Sequence, residues 1–263
     1  MKCVICGHSD IAAYRARFRP FLIARMFAGK AQDTDVYACK KCGFEYSSYR
    51  PNDLQMQRQY AGYMLEKYLH QRESFEKGFI EQTLRVVNDE NLANRRSNLA
   101  HFIAPFVDSN LRTILDYGGG GGEIIPLELH YAKCFVFDIS NKEPVANVSK
   151  IYDEKELFTQ SFDLIICSHM LEHVSYPMEF MRKFLALMHK DSLLYIEVPF
   201  AEFGWREDSD GAKLIHEHIN MFKKETFIEM SKVLGLKVLA CEIQSQEFLL
   251  GSSSKVIRCV MKG

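Results

Sequence analysis

The sequence predicts an α/β protein, a parallel sheet with helices on both faces, preceded by a small metal-binding ribbon and a helical segment. Three observations carry that prediction. Short apolar runs alternate with helical stretches over residues 111–263, as happens where crossover helices cover a parallel sheet. Five consecutive glycines follow the first of those runs. Two Cys-x-x-Cys pairs lie within the first 42 residues.

Composition allows all three parts. The chain has 263 residues, 47% hydrophobic and 25% charged, which is enough to bury a real core. A formal net charge of −1 excludes a chain that coats nucleic acid by charge alone, and equally an acidic disordered one. No apolar run approaches the roughly 18–20 residues that span a bilayer. The first ten residues carry no apolar signal region, so a cytoplasmic protein is expected.

In the ribbon, residues 1–50, the pairs read Cys3-Val4-Ile5-Cys6 and Cys39-Lys40-Lys41-Cys42, each followed by glycine. Paired cysteines in a reducing compartment point to metal before disulfides. Zinc takes four thiolates in a closed tetrahedron, and each knuckle supplies two. Such a site leaves no position for a catalytic water, so this zinc is expected to build structure. A redox dithiol is the competing reading. The remaining cysteines, at 134, 167, 241 and 259, sit among apolar residues and are expected in the core. Residues 1–50 hold 9 Lys/Arg against 4 Asp/Glu. Four thiolates around one zinc ion offset about two of those positive charges.

Residues 51–110 form the helical segment. Asn52 or Asp53 caps its start after Pro51, and Leu99, Phe102, Ile103 and Phe106 recur at helical spacing on one face. A break between two helices is expected at 88–94. In residues 111–263 the expected strands are 113–117, 134–138, 164–168, 193–198, 237–242 and 255–261. The expected helices are 122–131, 177–189 and 223–234. The last two strands should form an antiparallel hairpin at the sheet edge. Only 24 residues separate Asp138 from Asp163, room for a short strand near 150–152 but not for the usual helix after it.

Gly118, Gly120 and Gly122 satisfy G-x-G-x-G between a strand and a helix, where a ligand can approach the bare backbone. The next strand ends at Asp138, 16 positions past Gly122, where a carboxylate can hold both hydroxyls of a ribose. Leu115-Asp116-x-Gly118-x-Gly120-x-Gly122 resembles the first motif of the class I S-adenosylmethionine (SAM) methyltransferases, which are Rossmann-like. Residues 162–166, the segment Leu171-Glu172-His173-Val174 and the run 192–199 resemble that family's fourth strand, the turn after it and the fifth strand. The resemblance covers roughly 111–263. It implies SAM as cofactor, held by Gly118, Gly120, Gly122, Asp138 and Asp116. No Gly-Lys-Ser/Thr follows, so a P-loop is excluded, and a nicotinamide dehydrogenase is disfavoured.

Ligands of open α/β sheets bind outside the carboxyl ends of the strands. That gathers residues 168–173, 198–204 and the stretch leading to His216-Glu217-His218. The polar interval 204–211, with the only Trp, reads as a mobile lid. Histidine suits proton removal from a methyl acceptor, and a neighbouring carboxylate raises its basicity. Glu217, His218 and Phe222 resemble a segment of sugar methyltransferases, which also carry an N-terminal domain with two Cys-x-x-Cys pairs. That resemblance implies His218 and Glu217 as catalytic residues, and His169, nearer the ligand face, is a third candidate by its position. It also implies that Tyr60 and Tyr63 close over the site, with Tyr63 on the cofactor. Packing or capping is the plainer role for His218, and metal binding by His-Glu-His is a third. The acceptor implied is a small polar molecule, a nucleotide-linked sugar or another activated precursor of a surface polysaccharide. Two alternatives stay open: a zinc-ribbon RNA methyltransferase with Arg15, Arg17, Arg19 and Arg25 as its basic patch, and a non-catalytic SAM-binding scaffold. The sequence leaves C-, O- and N-methylation, and the oligomeric state, undecided.

Overall fold

The structure is a computed structural model that describes residues 2–140, 142–200, 202, 204–247 and 253–263. Among these residues the strands form two sheets. The larger has seven strands. Its first is β4 (Thr113–Tyr117), flanked by β5 (Lys133–Phe137) and β7 (Phe162–Ser168), both parallel to it. β6 (Val148–Ile151) extends one edge, and β8 (Met188–Pro199) lies beyond β7, also parallel. β12 (Ser253–Lys262) pairs antiparallel with β8 and carries β11 (Lys237–Glu247) on its outer side. The last two strands therefore pair as expected, but only β11 is an edge strand. The central strands bury both faces, which is why 164–167 and 193–196 read as unbroken apolar runs.

Helix α7 (Pro177–Leu187) opens on a proline whose fixed φ suits a first turn, and α8 (Lys224–Leu234) ends on Gly235 at φ 71°. Both cover one face of the sheet. The other face is covered by α5 (Asp89–Ile103), through Leu99, Phe102 and Ile103. Asn88 caps α5 by accepting from the Asn91 amide at 2.9 Å, inside the expected break. The helix expected at 122–131 is replaced by turns and a short 3₁₀ segment, Leu127–Leu129. Pro126 lacks the amide a helix needs there, and too few residues remain before β5 for another start. After β6 a single turn, α6 (Glu154–Leu157), stands where a full helix has no room.

The second sheet orders β10-β3-β2-β1-β9. β1 (Ile11–Phe18), β2 (Thr34–Cys39) and β3 (Glu45–Ser47) come from the ribbon. β9 (Lys213–Ile215) and β10 (Asn220–Met221) arrive from the interval after β8 and take its two edges. Helix α1 (Pro20–Met26) follows β1, and α2 (Asp53–Tyr60), α3 (Glu66–Phe75) and α4 (Phe79–Val86) follow the ribbon. Asn52 caps α2 in a reciprocal box with Gln55. The ribbon is fused to the larger sheet through a shared core in which Phe44 packs on Phe222, and Phe222 on Phe227.

Candidate active site

Two groups of residues meet at the carboxyl ends of the parallel strands. The first is the glycine loop after β4. Gly118, Gly120 and Gly122 hold φ of 76°, 61° and 81°, the left-handed region that side chains avoid. A Cβ at Gly118 would collide with Met170, and one at Gly122 would meet Val148 at 2.9 Å. The Gly120 amide donates to one oxygen of Asp138 at 2.9 Å, and the Ser140 amide to the other at 2.7 Å. Asp138 thus stands beside the bare loop with lone pairs left for a ligand. Asp116 sits differently. Its carboxyl is 0% exposed beneath Gly119, with no hydrogen-bond partner, and burial pushes it up to about 7 despite the pull of Arg95. It supports the loop from below.

The second group comes from the turn after β7 and from 216–220. His173 Nδ1 contacts the Tyr60 hydroxyl at 2.7 Å and the Glu217 carbonyl at 3.2 Å. The rings of His173 and His218 lie 4.7 Å apart, and those of His216 and His218 lie 4.6 Å apart. Burial drives both His216 and His218 down, His216 to about 3, so both are neutral imidazoles at physiological pH. The Glu217 carboxylate forms an ion pair with Arg72, a guanidinium that also meets Glu76 at 3.0 Å. That ion pair ties the segment carrying His218 to α3. The Tyr63 ring packs on Tyr60 and Tyr68, at 5.4 and 5.1 Å, which puts it with this cluster at the rim.

His169 adopts φ 55°, unusual outside glycine. Its ring nitrogens lie 3.3 Å from Glu172 and 3.3 Å from Glu197. Burial opposes its charge, but the two carboxylates outweigh that and push its pKa up. Glu197 in turn accepts from Ser168 at 2.9 Å, Tyr195 at 2.9 Å and Arg258 at 2.7 Å. Burial alone would raise Glu197, yet His169, Arg95 and Arg258 together pull it well below the carboxylate range.

The four paired cysteines also converge. Cys3 and Cys42 sulfurs lie 3.7 Å apart, Cys6 and Cys39 3.6 Å, and all four within 4.8 Å. Four zinc–sulfur bonds of about 2.3 Å in a tetrahedron set sulfurs about 3.8 Å apart, so the donor set fits zinc.

The family model described as "Methyltransferase domain" matches residues 91–240, more than half of the chain. The chain belongs to that family. This methyltransferase is similar in fold to coclaurine N-methyltransferase bound to N-methylheliamine and S-adenosylhomocysteine. The identity is 12%, with 79% of this chain and 92% of that one covered, at TM-score 0.50. A SAM-dependent methyltransferase from Anabaena variabilis matches at 11% identity, 65% and 85% coverage and TM-score 0.49. The plantazolicin methyltransferase BpumL matches at 11%, 80% and 98%, and 0.49. A search of curated proteins finds no match. The protein is a SAM-dependent methyltransferase. No helix among the described residues is long and apolar enough to cross a membrane.

The interval 204–211 of the methyltransferase is pinned rather than a free lid. Trp205 is 2% exposed and its indole donates to the His218 carbonyl at 3.0 Å. Arg15 and Arg17 bond to Asp210 and Asp208 at 3.0 and 3.1 Å. Arg19 pairs with Glu76 at 3.5 Å, and Arg25 donates to the Gln59 carbonyl at 2.7 Å. All four arginines of the suspected basic patch have partners within the chain. Sequence reasoning missed Asn220, Arg72, Glu197 and Arg258. Asn220 donates to the Leu171 and Val174 carbonyls at 2.8 and 2.7 Å and accepts from Arg50 at 2.7 Å, clamping the turn that carries His173. Glu197 alone left a trace, as an acid inside the apolar strand 193–198.

Proposed function

We propose that this methyltransferase methylates a small, hydroxyl-bearing acceptor of sugar type, such as a nucleotide-linked sugar or another activated precursor of a surface polysaccharide. One observation carries the reading: a phenol and two imidazoles, Tyr60, His173 and His218, form a polar cluster opposite the glycine loop. Such a cluster suits an acceptor with several hydroxyls, which in-line transfer requires to be held in one orientation. SAM, when bound, supplies a methyl group on a sulfonium. Gly118, Gly120 and Gly122 admit it to the backbone, and Asp138 takes its ribose hydroxyls. His218, kept neutral among buried neighbours, offers an imidazole lone pair on the acceptor side. Glu217 positions His218 through Arg72, and His169 fixes the turn between Glu172 and Glu197. The cysteine cluster holds a structural zinc. The self-paired arginines favour a small acceptor over RNA, which needs free cationic groups.

The test is incubation with SAM and a panel of nucleotide-linked sugars, followed by mass spectrometry. The expected result is a gain of one methylene in at least one sugar. Transfer to RNA, or SAM turnover with every acceptor class except sugars, would overturn the assignment.

A further inference from the structure

The structure assigns a second metal site, distinct from the cysteine cluster: Glu172, His173 and His218 form a ligand set for one divalent cation of the zinc, manganese or iron(II) class, placed to bind the acceptor's oxygens. The inference rests on the acceptor-side reading above and deepens it.

His173 Nδ1 is engaged by the Tyr60 hydroxyl at 2.7 Å and the Glu217 carbonyl at 3.2 Å, which leaves Nε2 for another partner. That atom faces the Glu172 carboxylate at 3.8 Å. A cation held between the two would serve as partner to both. Glu172 sharpens the point, because it is 1% exposed and neither of its oxygens has a hydrogen-bond partner. Its nearest cationic neighbour is His169 Nδ1, at 3.3 Å, and that ring is shared with Glu197. A buried carboxylate without satisfied acceptors is costly, and a coordinated cation removes the cost.

Ligand type and support agree with this. Glu172, His173 and His218 each bring one donor atom within 4.8 Å of the other two. One ion with bonds of about 2.1 Å draws its ligands to roughly 3–4 Å of one another, a closure that side-chain rotation supplies. Two imidazoles and a carboxylate form a three-point set that leaves open positions for oxygen ligands. His173 Nδ1, engaged by the Tyr60 hydroxyl and the Glu217 carbonyl, has the outer-shell contacts that orient a ligating histidine. Asn220 donates to the carbonyls on either side of the Glu172–His173 pair, and Trp205 bonds the carbonyl of His218. Each ligand is thus held by the backbone on which it stands. An acceptor with adjacent hydroxyls can fill the open positions.

The test counts metal. Full-length protein is dialysed against excess zinc and then against metal-free buffer, and zinc per chain is measured. SAM affinity of each variant reports an intact fold. The expected result is two zinc ions in the wild type and one in Glu172→Gln, with His218→Ala repeating the loss should the first variant misfold. One ion in the wild type, or two retained in both folded variants, would overturn the site. The functional reading fails separately, by absence of transfer to sugars whatever the metal count.

Discussion

The two halves of the active site are built from different material. The cofactor side is a local motif: residues 116–122 and Asp138 lie on adjacent strands, and the chemistry belongs mostly to bare backbone. The acceptor side is assembled from side chains far apart in sequence. Tyr60 comes from α2, Arg72 from α3, His169 to His173 from the turn after β7, and Glu217 to Asn220 from the segment that feeds β10. That segment also completes the ribbon sheet, so the cysteine cluster and the acceptor side share one scaffold. Cofactor binding and acceptor chemistry should therefore fail independently.

Arg72→Met should have the largest effect on that separation. It leaves Glu217 buried without its partner, and breaking a buried pair costs about 3–5 kcal/mol. Denaturant melts should show the loss, while the folded protein still binds SAM. Asp138→Ala acts on the other side. Loss of a charge-assisted contact to the ribose should weaken SAM binding roughly 10–100-fold by calorimetry, with the acceptor's KM unchanged at saturating SAM.

Asp116→Asn tests the floor of the loop through pH. The carboxyl is raised from 3.8 to about 7 in the folded chain, so its contribution to stability is full below about 4 and is lost as pH rises through 7. Apo-protein melts from pH 4 to 8 should flatten in the variant. An unchanged pH slope would show that Asp116 is ionised in the folded chain at neutral pH. Trp205→Phe is the mildest change. It removes one hydrogen bond to the His218 carbonyl, worth about 1 kcal/mol, and should slow turnover several-fold without altering SAM affinity.

What the sequence disclosed follows the same division. Thr113–Tyr117 was legible to the residue, and β7 and β8 in their cores, because a strand buried on both faces reads as an apolar run. The Asn52 cap and the α5 stripe were legible because helix signals are local. The helix expected at 122–131 failed because apolar spacing outweighed Pro126. The supposed lid at 204–211 failed for a different reason. A polar loop with one tryptophan looks mobile until the partners of Asp208, Asp210 and Trp205 are known, and those lie on β1 and at His218. Glu217 was read as half of a catalytic pair because no spacing rule brings Arg72 to it across 144 intervening residues. Asn220 and Arg258 act on strands and turns that only tertiary structure brings near.

His218→Ala tests the division of labour most directly, with SAM affinity and methyl transfer measured on the same preparation. Unchanged affinity for SAM and a fall in turnover of roughly 100-fold or more are expected. Turnover near the wild-type rate, or affinity and turnover falling together, would contradict it.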